Sequence, residues 1–87
     1  MNYIEITGGK TRQQDYARSM VEYCINKLMP RMKTLNVDVK LTKLKGDANG
    51  YCLRDTPRDF SIEVDHTQGL RTMLETIAHE MVHVKQY

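Results

Sequence analysis

The stretch from Leu70 to Tyr87 contains neither proline nor glycine, and its apolar side chains recur every three or four residues. This spacing is typical of an amphipathic helix that packs one stripe against a core. The stripe consists of Leu70, Met73, Leu74, Ile77, Ala78, Met81 and Val84. Asp65 or Thr67 could cap the start, and Thr72 with Glu75 is an alternative capping box one turn later. The sequence therefore predicts a helix over Leu70–Tyr87.

Within this helix, His79, Glu80 and His83 form the H-E-x-x-H pattern. Residues four apart lie one above the other on a helix, so both imidazoles point to the same side, beside the apolar stripe. Two such imidazoles suit one tetrahedral Zn²⁺, which binds neutral imidazole nitrogen at about 2.0–2.1 Å. We therefore expect His79 and His83 to be zinc ligands. The alternative is that both are ordinary polar residues of an amphipathic helix.

Glu80 follows His79 by about 100° around the helix. Its carboxylate is there too far round to be a natural third ligand, but it is close enough to reach a metal-activated water. It could take a proton from that water as the water attacks a carbonyl, and later pass the proton to a leaving amine. The motif thus predicts Glu80 as the catalytic residue of a hydrolase.

Composition limits the class of protein. A chain of 87 residues makes one small domain, and its 40% hydrophobic and 28% charged residues are typical of a soluble globular protein. The net charge of +2 comes from basic residues scattered among acidic ones, which does not argue for a nucleic-acid partner. No segment has the length of a membrane span, and the N-terminus lacks the apolar region of a signal peptide. We therefore expect a cytoplasmic protein without a membrane partner.

The two cysteines, Cys24 and Cys52, fall in a predicted helix and a predicted strand and form no C-x-x-C pair. In a cytoplasmic chain we expect two small buried thiols rather than a disulfide. Their separation also lacks the usual spacing of zinc-ligating thiolates.

The N-terminal elements follow from the hydrophobic period. Residues 2–7 alternate between polar and apolar side chains, which predicts a short strand, and a Gly-Gly pair then turns the chain. Thr11 and Gln14 have the capping-box form, with Thr11 as the cap. They predict a helix that runs to about Met29 and ends before a proline.

From Val37 onward the period is two, which predicts strands at 37–42, 51–55 and 60–65. The pair Asn49-Gly50 is a hairpin signal, so we expect these strands to form an antiparallel meander. The element order is β-α-β-β-β-α. It predicts an α+β fold with a small, mostly antiparallel sheet and both helices on one face.

A backing helix, a small sheet and then a helix with H-E-x-x-H resemble the upper subdomain of the zincin metallopeptidases. The run Thr76–Gln86 is most similar to SprT-like and minimal gluzincin proteins, many of them small bacteriophage proteins. The resemblance implies a zinc-dependent metallopeptidase with His79 and His83 as zinc ligands and Glu80 as general base and acid. It implies protein or peptide substrates, DNA-associated proteins among them, bound by addition to an unassigned strand. For a phage protein the compartment would be the host cytoplasm.

The chain departs from this family in one respect, since zincins supply a third protein ligand downstream of the helix. Here the sequence ends at Tyr87, shortly after His83. We therefore expect residues 1–87 to form a single zincin-like domain that is truncated after this helix, or a third ligand that comes from elsewhere. The remaining histidine, His66, is expected to be a polar loop residue. Two alternatives stay open: an inactive zincin-like binding or regulatory module, and a small interaction domain with an accidental motif.

Overall fold

The structure is a computed structural model and describes residues 2–44, 50–56 and 58–86. Its elements are β1 (Tyr3–Gly8), α1 (Thr11–Leu28), β2 (Asn36–Thr42), β3 (Gly50–Thr56), β4 (Asp59–Asp65), a 3-10 turn (His66–Gln68) and α2 (Leu70–Gln86). The α+β class and the predicted element order are confirmed. Asn49 of the expected hairpin and Tyr87 at the expected helix end lie outside the described residues.

The sheet is mixed, with the strand order β1-β2-β4-β3. β1, β2 and β4 run parallel, and only β3 is antiparallel to its neighbour β4. The expectation of a mostly antiparallel sheet built on a meander was therefore wrong, because β4 lies between β2 and β3. The burial of the strands gives the reason. β2 and β4 each bury every second side chain, whereas β3 has no fully buried side chain and takes the edge of the sheet.

Both helices pack on one face of this sheet, as predicted. The buried side chains of the two central strands alternate with polar ones that remain at least partly exposed. The buried set from these strands is Val37, Val39, Leu41, Phe60, Ile62 and Val64. Each helix adds one apolar stripe: Ala17, Val21, Cys24 and Ile25 from α1, and Met73, Ile77, Met81 and Val84 from α2. Among the residues that the structure describes, neither helix combines the length and apolar composition needed to cross a bilayer.

The start of α1 differs from the prediction by one residue. Thr11 is the first helical residue, and Lys10 is the N-cap. The Lys10 backbone N–H donates to Gln13 Oε1 at 2.8 Å, while Gln14 Nε2 donates to the Gly8 carbonyl at 2.8 Å. The expected reach of Gln14 back to Thr11 is thus replaced by Gln13, because two adjacent glutamines offer the same group to two different turns.

The approach to α2 is stabilised by Asp65. Its carboxylate accepts a hydrogen bond from the Thr67 backbone N–H at 2.8 Å, which caps the 3-10 turn rather than α2 itself. The hydrogen bonds from Thr67 hold the pKa of Asp65 below its usual value. Gly69 then turns the chain with φ of 93°, and α2 begins at Leu70. The alternative capping box of Thr72 and Glu75 is wrong, since both residues lie inside the helix.

Gly8 permits the close approach of β1 to β2. Its φ is +77°, and a Cβ there would lie 2.1 Å from the backbone oxygen of Leu41. Gly69 has a similarly unfavourable φ, but a Cβ there would meet nothing within 4 Å.

Gly69→Ala should therefore lower the free energy of unfolding only by the backbone strain, about 1–3 kcal/mol. Gly8→Ala should cost more than about 4 kcal/mol, because strain and a backbone collision add. Urea unfolding of the two variants measures this difference, and equal losses would contradict the β1–β2 register.

Candidate metal and catalytic site

The apolar stripe of α2 fixes where the motif side chains point. Ile77 and Met81 are fully buried in the core, which fixes the rotation of α2 about its axis. His79 is exposed and His83 is partly exposed, on the same side of α2. Helix geometry alone produces this, because residues four apart share a face and successive residues differ by about 100°.

The structure brings the three predicted site residues together. The His79 and His83 rings lie with their centroids 5.0 Å apart and their planes at 88°. One ligand atom each from His79, Glu80 and His83 can be chosen so that all three lie within 4.8 Å of one another. Two nitrogens on one tetrahedral zinc with bonds of about 2.1 Å are separated by about 3.4 Å. Rotation of the two side chains can bring one nitrogen of each ring to this separation without moving the helix. His79 and His83 therefore fit as two ligands of one zinc ion.

Glu80 is the one buried charged residue among those that the structure describes, with 7% of its surface exposed. No group of the described residues donates a hydrogen bond to its carboxylate. Its oxygens are nevertheless not among the fully buried atoms, so the carboxylate meets solvent beside the two imidazoles. Largely buried charged residues in proteins are generally paired or bind metals.

Cys52 of β3 packs against the core and lies near Glu80. Burial, and after it the negative charges of Glu80 and Asp55, raise the pKa of its thiol to about 11. The thiolate is the form that binds metals and reacts as a nucleophile. At neutral pH, Cys52 is thus a protonated thiol near the site. Both cysteines are free thiols; Cys24 is buried as expected, whereas Cys52 is only half-buried.

Gly50 brings β3 close to the motif helix. A Cβ at this position would lie 2.8 Å from Thr76 Cγ2 and 2.9 Å from the Glu63 carbonyl oxygen. Any larger residue would therefore push the edge strand away from α2. The Asn49-Gly50 pair predicts only a hairpin turn and does not show this contact. A glycine at the start of an alternating strand is the signal that could have indicated it, since such glycines often mark close backbone approach.

A groove of about 440 Å³ runs along α2 beside β3. Its lining residues are Gly50, Thr72, Glu75, Thr76, His79 and Glu80. Of these, the sequence identified only His79 and Glu80 as site residues. Thr72, Thr76 and Glu75 lie one or two turns before His79, and that spacing is the signal that could have indicated them.

His66 does not join the site. It begins the 3-10 turn, where its carbonyl accepts a hydrogen bond from Gln13 Nε2 at 3.3 Å. Within residues 2–44, 50–56 and 58–86, no further histidine, cysteine, aspartate or glutamate extends the His79–Glu80–His83 cluster. The described part of the chain therefore offers zinc two imidazoles and a nearby carboxylate.

Comparison of the chain with protein-family models, with curated proteins and with solved structures finds no match.

The environment of Cys52 predicts slow alkylation. In a Cys24→Ser variant, iodoacetamide should react with folded Cys52 about 10–100 times more slowly at pH 8 than with the urea-unfolded chain, because the pKa rises from 9.0 to about 11. Since the folded state disfavours the thiolate, this group should also reduce stability as pH rises above 9. Glu80→Gln removes one negative charge and should partly restore the rate. A Cys52 thiol that titrates at its ordinary pKa in the folded protein would contradict its burial beside Glu80.

Proposed function

We propose that this chain forms the metal-binding and peptide-binding part of a zinc-dependent metallopeptidase. One observation carries the proposal: potential ligand atoms of His79, Glu80 and His83 lie within 4.8 Å of one another. The resemblance of Thr76–Gln86 to SprT-like and minimal gluzincin proteins adds support from the sequence.

In this proposal, His79 and His83 hold Zn²⁺ through one nitrogen each. Bound zinc supplies Lewis acidity, which polarises the peptide carbonyl and makes water a nucleophile near neutral pH. Glu80 takes a proton from the attacking water and then delivers it to the nitrogen of the departing amine. Its position favours this role, because Glu80 lines the same groove as His79 and is adjacent to it in the helix.

The edge strand β3 is the proposed peptide-binding strand. It pairs with β4 on one side, and no described strand pairs with its other edge. It also lies beside α2, since Gly50 and Thr76 are in close contact. Leu53 on this strand is 51% exposed and is therefore accessible to a partner. An extended peptide that added to β3 would bond to its backbone, contact Leu53 and pass the motif helix.

A second candidate is an inactive module of the same shape that binds zinc or peptide without hydrolysis. The observation that favours it is the ligand set, because catalytic zinc sites generally use three protein ligands and the described residues provide two imidazoles. The two candidates share metal and peptide binding and differ only in whether Glu80 transfers a proton.

Zinc content and peptidase activity test the proposal together. The wild-type chain should bind one zinc ion. His79→Ala or His83→Ala should weaken zinc binding at least about a hundredfold, since removing even a hydrogen-bond partner of a metal ligand lowers metal affinity about 10–100-fold. His66→Ala is the matched control and should retain the metal. Glu80→Gln should retain zinc and lower kcat about 10²–10⁴-fold. Unchanged zinc content in both ligand variants would reject the site. Zinc binding without activity in the wild type would favour the inactive module.

The peptide-binding role of β3 has its own test. Leu53→Asp places a charge on the free edge, which opposes strand addition, and should weaken peptide binding about tenfold or more. Because Leu53 is exposed, stability should change by no more than about 0.5 kcal/mol. Tyr3→Asp is the control, since Tyr3 is 60% exposed on the opposite edge strand β1. Equal effects of the two changes on peptide affinity would show that β3 is not the docking strand.

A further inference from the structure

The charges of the groove beside His79 all have one sign. Two ionisable side chains besides His79 line it, Glu75 and Glu80, and the rest of the lining consists of glycine and threonine. Glu80 is more than nine-tenths buried, lines the groove and has no hydrogen-bond partner among the described residues. Because Glu80 is assigned to the metal-activated water, the acidic group that remains for a ligand is Glu75, one turn before His79. With no lysine or arginine in the lining, this carboxylate favours a positively charged side chain.

Glu75 is available to such an occupant. Its carboxylate oxygen Oε1 lies 3.1 Å from Arg71 Nε, in an i,i+4 pair whose side chains are 65% and 94% exposed respectively. Ion pairs this exposed change an equilibrium constant by less than about fivefold, so a cation from a ligand can replace Arg71. The neighbouring Thr76 hydroxyl donates a hydrogen bond to the Thr72 carbonyl at 2.9 Å, so this hydroxyl already has a partner within the helix.

The position of Glu75 relates the groove to the proposed reaction. Glu75 precedes His79 by four residues, so the two side chains lie one turn apart on the same face of α2, about 6 Å along the helix. An extended peptide advances about 3.3 Å per residue and turns every second side chain to the same side. A peptide on β3 would therefore direct a side chain into the groove within about two residues of the bond that lies at His79. Gly50 lines the groove at the point where β3 meets α2.

From these observations we propose that the groove is a specificity subsite for a lysine or arginine of the substrate, bound by the carboxylate of Glu75. The inference rests on the proposed function, because it takes the groove to be part of a peptide-binding site. A substrate glutamate in the same place would meet repulsion from both Glu75 and Glu80. The substrates of this site are accordingly protein segments with a basic residue near the cleaved bond.

A series of fluorescent peptides tests this subsite by binding. The peptides share one extended sequence and carry Lys, Gln or Glu at each position in turn. Their Kd values are measured by anisotropy on the zinc-loaded Glu80→Gln protein, which does not consume them. Peptides with Lys at one position should bind about tenfold more tightly than those with Glu there, and the difference should shrink in high salt.

Variants of Glu75 in the Glu80→Gln protein identify the recognising group. Glu75→Gln should remove most of the preference for Lys, and Glu75→Lys should reverse it in favour of Glu. Glu22→Gln is the matched control, an exposed glutamate on α1, and should leave the preference unchanged. Binding that shows no charge preference, or a preference that survives Glu75→Lys, overturns the subsite. Failure of every peptide to bind overturns it as well.

Cleavage by the active protein separates the two proposals. Hydrolysis of the series without any dependence on the charge of one residue would leave the peptidase proposal standing and reject the subsite. Charge-dependent binding that Glu75→Lys reverses, in a protein that cleaves nothing, would retain the subsite and reject the peptidase.

Discussion

The burial of one helix stripe determines the geometry of the whole site. Met73, Ile77 and Met81 are inaccessible to solvent and lie against the buried face of the sheet. Burying each such side chain contributes roughly 1.5–3 kcal/mol, which fixes the rotation of α2 about its own axis. With that rotation fixed, the helical repeat brings His79 and His83 to the open side and turns Glu80 into the boundary between helix and sheet. The site is thus a consequence of apolar packing next to it.

The edge strand completes the site from the other side. β3 is antiparallel to β4, and no described strand pairs with its other edge. Gly50 at its start lines the groove along α2, and Cys52 lies near Glu80 as a neutral thiol. Of the two edge strands, β1 and β3, β3 is thus the one that contributes to the groove lining.

Sequence periodicity predicted the elements and the faces they bury, because side-chain alternation and helical spacing are local properties. The motif spacing likewise predicted that His79, Glu80 and His83 lie together on α2. Periodicity could not predict the strand order, because a period of two shows which side chains of a strand are buried but not which strands pair with each other. The antiparallel meander was wrong for this reason. Gly50 and the groove residues Thr72, Glu75 and Thr76 were missed because their roles depend on contacts between β3 and α2.

X-ray absorption at the zinc edge of the loaded protein shows whether the two imidazoles of α2 bind one zinc ion. We expect two imidazole nitrogens at about 2.0–2.1 Å, with oxygen completing the shell. Replacing His83 with alanine should remove one of the two imidazole signals. A shell with a sulfur scatterer at about 2.3 Å, or one without imidazole, would reject this site, because His79 and His83 are the two protein ligands proposed for zinc.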